Sequence, residues 1–410
     1  MAEAWIIDAA RTPRGIGKIG KGALADVHPQ RILSAVLSAL AKRNDLDVED
    51  VDDVIMGCGT QSGKQASCIA RMAALDAGWG PSAVGVTLDR FCGSGLTAVN
   101  MGAMGIMSGM QDLVVSGGVE SMSSYATLSD RYPLMDKGNM HLRAMHPQPH
   151  QGICADLIAT VEGFSREEVD ALALKSQQRA AVALAGGHFD KSLVPVHHDD
   201  GSMALDHEEY PRPQTTAEGL AGLKPAFEAM YAAPLDEEGT TFKQLVQMKR
   251  PDVQIKHIHH AGNSSGVVDG AGGVVLASPE YAKAHGLKPR ARIRSMATAG
   301  DAPEMMLNAP GPAAQKALKR AGMSIDDIEL IEVNEAFAVV PLRFMRFMGI
   351  DDERVNVNGG AIALGHPIGA TGAMLVGALL DEMERRDLTT GLVTLCTGGG
   401  MAPCTIIERI

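Results

Sequence analysis

Two residues able to do nucleophilic and proton-transfer chemistry sit in glycine-rich turns at opposite ends of this chain. The first is Cys92, in Asp89-Arg90-Phe91-Cys92-Gly93-Ser94-Gly95-Leu96-Thr97-Ala98. Val84 to Leu88 before it reads as a short buried strand. The uncharged run from Gly93 to Met110 after it reads as a helix packed on all sides. Cys92 then falls at a strand-to-helix junction. Unpaired backbone N–H groups and the positive end of a helix there favour the thiolate. Gly93 and Gly95 leave room for a substrate to reach the sulfur. A buried structural cysteine is the competing reading of Cys92 taken alone.

The second residue is His366, in Asn358-Gly359-Gly360-Ala361-Ile362-Ala363-Leu364-Gly365-His366-Pro367-Ile368-Gly369-Ala370-Thr371-Gly372-Ala373. Cys92, Gly95 and Thr97 match His366, Gly369 and Thr371 at one constant offset. Val48, Val51 and Val54 match Ile325, Ile328 and Ile331 at nearly the same offset. A repeat this long implies a duplicated α/β unit. Two like halves packed about a pseudo-dyad bring corresponding turns together, which places His366 as a base beside Cys92. Near the C-terminus, Thr394-Leu395-Cys396-Thr397-Gly398-Gly399-Gly400 adds a second cysteine in a glycine-rich loop after a strand.

These motifs resemble those of the thiolases, the acetyl-CoA acetyltransferases and 3-ketoacyl-CoA thiolases. The resemblance is carried by DRFCGSGLTAV around Cys92, GGVESMS at Gly117 to Ser123 and AGNSSGVVDGA at Ala261 to Ala271. It continues through EVNEAFA at Glu332 to Ala338, the block around His366, and CTGGGMA around Cys396. It covers the chain from WIIDAARTPRG to CTIIERI, with the blocks in the family's order. It implies a thiolase-like duplicated α/β fold, five layers α-β-α-β-α, with an inserted loop domain.

The resemblance also implies the chemistry: CoA-dependent cleavage of a 3-ketoacyl-CoA through an acyl-cysteine, in a ping-pong, reversible Claisen reaction. Cys92 is then the nucleophile, His366 its activating base and Cys396 the second acid/base. Asn334 holds a water in one oxyanion hole. The backbone N–H groups of Cys92 and Gly398 form the other. Ser265 meets the pantetheine arm, and His150 and Gln151 stand in the loop-domain segment that contacts substrate. Arg212 lies near the nucleotide end of coenzyme A, and Ala336 and Phe337 line the acyl pocket. Coenzyme A enters as co-substrate, with no permanently bound cofactor or metal. The expected assembly is a homodimer or a tetramer built as a dimer of dimers.

The chain departs from the acetoacetyl-CoA-forming enzymes in two ways. Gln151 stands where they carry a methionine that walls a short-chain pocket. The segment from Ser124 to His150 is shorter, and the link from Ala229 to His259 longer, than theirs. A degradative 3-ketoacyl-CoA thiolase is therefore the favoured reading, and a biosynthetic acetyl-CoA acetyltransferase the alternative. A ketosynthase-type condensing enzyme lacks a second catalytic cysteine such as Cys396. A non-catalytic lipid-binding relative should have lost Cys92 or His366. The run His257-Ile258-His259-His260 invites a metal, but a strand would split it between two faces.

Elements able to position these turns follow from the pattern. Short apolar runs alternate with helices in the first half: Ala4 to Ala9, Pro29 to Arg43, Asp53 to Cys58, Ser67 to Ala77, Val84 to Leu88, Ser94 to Ser108 and Asp112 to Gly117. That alternation reads as a wound sheet covered by helices. Residues 1–121 with 251–279 make the N-terminal half, 122–250 the inserted loop domain and 280–410 the C-terminal half. Period is lost where prolines, histidines and charges crowd Tyr132 to His150. Ser165 and Glu168 form a capping box for one loop-domain helix. Strands are expected at Gly272 to Ser278, Arg290 to Met296, Leu330 to Val333, Val393 to Cys396 and Thr405 to Glu408.

The chain's 410 residues suffice for two or three lobes around a large core. A formal net charge of −12 argues against nucleic acid as a partner. Six cysteines without paired spacing read as reduced thiols of a cytoplasmic protein. No stretch has the roughly 18 uninterrupted apolar residues of a membrane span. The first strand starts so early that no cleaved leader is expected.

Overall fold

Runs of β-branched and small apolar residues form twelve strands among the described residues, which are 2–128 and 134–410 of this computed structural model. The strands are β1 (Trp5–Arg11), β2 (Gly15–Ile16), β3 (Asp53–Gly57), β4 (Val86–Leu88), β5 (Leu113–Ser121) and β6 (Val196–His197). They continue as β7 (Met203–Leu205), β8 (Val268–Ala277), β9 (Ala291–Gly300), β10 (Leu330–Val333), β11 (Thr390–Thr394) and β12 (Met401–Arg409). Apart from the β6–β7 hairpin, all belong to one sheet ordered β4-β3-β5-β8-β1-β9-β12-β11-β10, with β2 on β8.

The duplication is visible in the topology. In the first half β3 runs parallel to β5, and β5, β8 and β1 are antiparallel neighbours. In the second half β10 runs parallel to β11, and β11, β12 and β9 are antiparallel neighbours. The halves join where Trp5 and Ile6 pair with Arg292 and Ala291. Matching 3-10 turns, Val48–Asp50 and Ile325–Asp327, precede β3 and β10.

Helices Pro29–Arg43 and Ile69–Asp76 cover one outer face, packing Ile32, Leu37 and Ile69 with Val115 and Val275. Helices Ser94–Met107 and Thr371–Arg385 lie between the halves. Their Leu96, Val99, Leu375 and Leu379 meet Val114 and Leu276 of one half and Val393 and Ile407 of the other. Helices Pro310–Ala321 and Val339–Met348 cover the far face with Ile331, Leu392 and Ile406. Ile406 and Ile407 are adjacent on β12 yet belong to opposite layers, as a strand's period of two requires. The result is five layers, α-β-α-β-α.

Two expectations are corrected. The strand before Cys92 is shorter than Val84 to Leu88, and it is not buried: Val84 is 49% and Val86 41% exposed. It is the last strand of the sheet and has β3 on one side only. The Ser94–Met107 helix is not packed all round, since Met101 and Met104 face out at 42% and 51% exposure.

Segment 122–250 is more ordered than its composition suggests. Besides the capped Arg166–Ala185 helix, it holds helices Gln151–Glu162 and Phe242–Gln247 and shorter pieces. The Gln151–Glu162 helix is buried continuously from Gly152 to Ala159, so it shows no amphipathic stripe. The start of the crowded stretch, at Tyr132, lies outside the described residues.

Candidate active site

The turn that presents Cys92 is held by its own side chains. Phe91 takes a left-handed φ of 49°. Its N–H donates to Oδ1 of Asp89 at 2.6 Å, and Oγ of Ser94 donates to its carbonyl at 2.6 Å. The backbone N–H groups of Cys92 and Gly398 both reach the Cys92 sulfur. Even so, the expected thiolate is not found. Burial, and then the Glu120 carboxylate, push the Cys92 thiol up to about 12. Desolvation of the sulfur outweighs the two N–H groups, so Cys92 rests as a thiol, which could attack a substrate only after giving its proton to a base.

The two glycine-rich turns interlock. A methyl group on Gly372 would stand 2.3 Å from the backbone nitrogen of Leu96, and one on Gly95 would stand 2.7 Å from the carbonyl oxygen of Gly369. Only hydrogen fits at both places. His366, 4% exposed, projects from the second turn. Its Nδ1 lies 2.6 Å from Oγ1 of Thr371, and that hydroxyl donates to the carbonyl of Pro367 at 2.9 Å. The hydroxyl hydrogen is thereby used, so Nδ1 must carry the ring proton and Nε2 the lone pair. Nδ2 of Asn334 stands 3.4 Å from that Nε2. Burial, and then the positive charge of Arg14, hold His366 down at about 3. The ring is a neutral base throughout the physiological range.

Cys396 is buried, and burial raises its pKa, followed by the charge that Cys92 would carry. The two cysteines are thus electrostatic neighbours.

Cys92 and Gly398 open into a cavity of about 270 Å³. His150 and Gln151 stand on its wall with Tyr125, Met135, Phe242, Met306 and Ile368. His150 caps its helix through Nδ1, which accepts the Gly152 N–H at 3.1 Å. Gln151 is the first residue of that helix and is solvent-exposed. Phe242 comes from the long link before the AGNSSG block. Arg143 binds that link to the segment bearing Met135, pairing with Asp136 at 2.9 Å and Asp236 at 2.9 Å.

The remaining candidate residues are spread more widely. Ala336 and Phe337 stand behind the cavity wall and not on it: Phe337 packs edge-on against Phe227, which in turn contacts the His150 ring. The half-buried Ser265 is held by its backbone N–H on the Ala336 carbonyl at 3.0 Å. Arg212 is exposed and lines a separate cavity of about 210 Å³ with Gln177, Tyr210, Thr215 and Thr216. The histidine run is taken up by carboxylates. His257 and His259 both donate from Nδ1 to Asp156 at 2.8 Å, and His260 bonds Asp170 at 2.9 Å.

Residues 4–233 match the thiolase N-terminal domain, and residues 287–409 match the thiolase C-terminal domain. The chain belongs to the thiolase family. It is 40% identical to the steroid 3-ketoacyl-CoA thiolase FadA6 of Mycobacterium tuberculosis, over all of this chain and 95% of that protein. It is also 40% identical to the 3-oxoadipyl-CoA/3-oxo-5,6-dehydrosuberyl-CoA thiolase of Escherichia coli K12, over the whole of both. Human mitochondrial 3-ketoacyl-CoA thiolase, solved in complex with CoA, superposes with a TM-score of 0.85 at 33% identity, covering 100% of this chain and 98% of that one. This thiolase is an acyltransferase that cleaves 3-ketoacyl-CoA with CoA. Among its described residues no helix is long and apolar enough to cross a membrane.

Sequence reasoning passed over one central residue of this thiolase. Glu120, buried in the GGVESMS block, accepts the N–H groups of Gly59 at 2.8 Å, Thr60 at 3.1 Å and Gly369 at 2.7 Å, and the Tyr125 hydroxyl at 2.7 Å. One carboxylate ties both halves and the cavity wall together. The available signal was an acidic residue inside a run predicted as buried strand, which requires partners.

Proposed function

We propose that this thiolase works in the degradative direction, through an acyl group carried on Cys92. The acyl-cysteine is supported most by the neutral His366, whose Nε2 keeps its lone pair because Nδ1 carries the ring proton toward Thr371, and the degradative direction by Gln151, which stands exposed on the cavity wall. The Cys92 thiol gives its proton to Nε2, and the sulfur attacks the C3 ketone carbon. The adduct's oxyanion faces the N–H groups of Cys92 and Gly398. The C2–C3 bond breaks, and Cys396 protonates C2 of the departing acetyl-CoA enolate. That enolate's oxygen is met by His366 and a water held by Asn334. Coenzyme A then gives its thiol proton to the Cys396 thiolate and attacks the acyl carbon. Cys92 leaves and recovers its proton from His366.

Coenzyme A is the co-substrate, and no bound cofactor or metal takes part. Segment 122–250 is the lobe that receives it, with residues 1–121 and 251–279 forming one catalytic half and 280–410 the other. Ser265 serves the pantetheine arm. Arg212, stacked 5.3 Å over the Tyr210 ring in the second cavity, serves the nucleotide phosphates. His150 and Gln151 border the acyl group, with Ala336 and Phe337 behind them. The open edge of β4, with Val84, Val86, Met101 and Met104 exposed, gives the apolar surface for a homodimer or a dimer of dimers. Six free cysteines suit a reducing cytoplasm.

The test is covalent trapping. Incubation with 3-ketoacyl-CoA without free CoA, followed by peptide mass spectrometry, should place one acyl group on the Cys92 peptide. Near-normal thiolysis by Cys92→Ser would refute the assignment.

A further inference from the structure

Beside Asn334 lies a narrow chamber of about 10 Å³, whose lining also includes Gly365 and Thr371 next to His366. That is roughly the space one water molecule needs. Its walls include Arg11, Arg14, Glu332 and Asn334. All four side chains are nearly inaccessible, at 1%, 4%, 5% and 1% exposure. Their hydrogen bonding is incomplete. Glu208 receives Nη1 of Arg11 at 2.5 Å and Nη1 of Arg14 at 2.8 Å. Nε and Nη2 of Arg11, Nε of Arg14 and Oδ1 of Asn334 are buried without a partner among the described residues. The side chain of Glu332 makes no hydrogen bond to a described residue, although its backbone pairs with β11 in the strand that leads into Asn334.

Such groups are costly to leave unmade. A buried donor or acceptor without a partner costs about 1–3 kcal/mol, more when it is charged. Here donors, an acceptor and a carboxyl group border the same water-sized space. One water can accept from a guanidinium N–H and donate to both Oδ1 of Asn334 and Glu332. That fits the two to four polar partners a buried water requires.

We propose that Arg14 and Glu332 are positioning residues that hold a buried water against Oδ1 of Asn334, and that this water fixes the amide with Nδ2 toward His366. The inference rests on the assignment of Asn334 and His366 to the reaction. The amide has two orientations of similar shape. If it turned over, Oδ1 would face the lone pair on Nε2 of His366, and two acceptors would oppose each other. Nδ2 would then face the guanidinium donors. The water favours one orientation by giving Oδ1 a donor. The chamber water is distinguished from the one in the oxyanion hole by its partners: a guanidinium and Glu332 hold it, whereas the other meets the substrate oxygen.

The carboxyl of Glu332 need not be ionised for this role. Burial, then Glu335 and Glu382, push its pKa well up, against Arg14 and Arg179. Glutamine is therefore a close stand-in, while leucine keeps the bulk and removes the polar partner.

Three variants and one structure test the proposal. Glu332→Gln should keep kcat within about threefold of wild type. Glu332→Leu should lower kcat about tenfold or more, with KM within about twofold, as loss of one buried polar contact predicts. Atomic-resolution crystallography of the wild-type enzyme should show a water within hydrogen-bond distance of Oδ1 of Asn334 and of Arg14 or Arg11. An empty chamber in the wild-type density overturns the proposal, whether or not Glu332→Leu folds. So does a Glu332→Leu enzyme with wild-type kcat. Asn334→Ala separates the two levels. If it is fully active, the assignment of Asn334 to the reaction fails. If it is slow while Glu332→Leu is fast, only the present inference fails.

Discussion

Oγ1 of Thr371 lies 2.6 Å from Nδ1 of His366 and passes its own hydrogen to the Pro367 carbonyl. The hydroxyl can only accept from the ring, and so it sets the tautomer of the imidazole. Thr371→Val keeps the shape and removes the acceptor. Nδ1–H then loses its partner in a buried site, and the ring is free to carry its proton on Nε2. Steady-state thiolysis should show kcat lowered on the order of tenfold, the worth of one such bond. Thermal denaturation should show a Tm close to wild type. Unchanged kcat would mean the ring is oriented by something else.

The depressed pKa of His366 has a consequence for stability. The folded ring resists protonation down to about 3, while the unfolded ring takes a proton near the ordinary histidine value of 6.5. The unfolded state therefore binds more protons between these values, so this group's contribution to stability is lost as pH falls below 6.5. At pH 5 the loss is about 2 kcal/mol relative to neutral pH. Urea unfolding at pH 7 and pH 5 should show a smaller drop for His366→Gln than for wild type, by about that amount. Equal drops in the two proteins would show that His366 does not titrate this way.

Glu120 serves three backbone donors and a phenol with two oxygens. Glu120→Gln replaces one acceptor with an NH₂ group that points at N–H donors. The expected cost is on the order of 3 kcal/mol of stability, with loss of activity as the turns at Gly59 and Gly369 loosen. Chemical denaturation measures the first and thiolysis the second. A stable, active Glu120→Gln enzyme would be evidence that waters already share these donors.

Cys396 contributes little bulk to its surroundings, so Cys396→Ala should fold. Removing a positioned acid/base typically costs two decades or more in rate. The two half-reactions should divide: proton exchange at C2 of acetyl-CoA in deuterated water should vanish, while acylation of Cys92 by an acyl-CoA should persist. Exchange at the wild-type rate would move the acid role to another group.

The fold was largely readable because the chain says it twice. Matching positions such as Val48 and Ile325 both open 3-10 turns, and both enter a strand that runs parallel to its neighbour. The turn that carries Cys92 was readable from Gly93 and Gly95. The protonation state of its sulfur was not, because desolvation depends on what packs over Cys92 from the other half. The helix at Gln151 escaped because burial on every side erases the periodic stripe that marks a helix. The exposure of Val84 and Val86 escaped because apolar residues read as buried, whereas β4 ends the sheet. Glu120 was hidden in a strand pattern, since its partners are backbone groups that no sequence displays.

Apart from His150, Gln151 and Gln148, the side chains around the Cys92 cavity are mostly apolar, with Met135, Phe242, Met306 and Ile368 among them. Gln151 stands at the rim, exposed, where a buried amide without partners would cost roughly 1–3 kcal/mol. Its position leaves the space beside the sulfur to the methionines and to Phe242. Methionine side chains adapt to ligands of varied shape. Each methylene that an acyl chain buries there should contribute up to about 0.8 kcal/mol. Catalytic efficiency for six- to eight-carbon 3-ketoacyl-CoA should therefore exceed that for acetoacetyl-CoA severalfold or more, which a thiolysis series over chain length measures directly. Branched and cyclic acyl groups belong in the same series. Gln151→Met brings a side chain that gains from turning inward. It should shift the preference toward acetoacetyl-CoA, with KM for longer chains rising more than kcat falls. If acetoacetyl-CoA is the best substrate of the wild type and longer chains are rejected, the enzyme is better read as biosynthetic. If Gln151→Met leaves the series unchanged, another wall sets the limit, and Phe242→Ala is the next variant to compare.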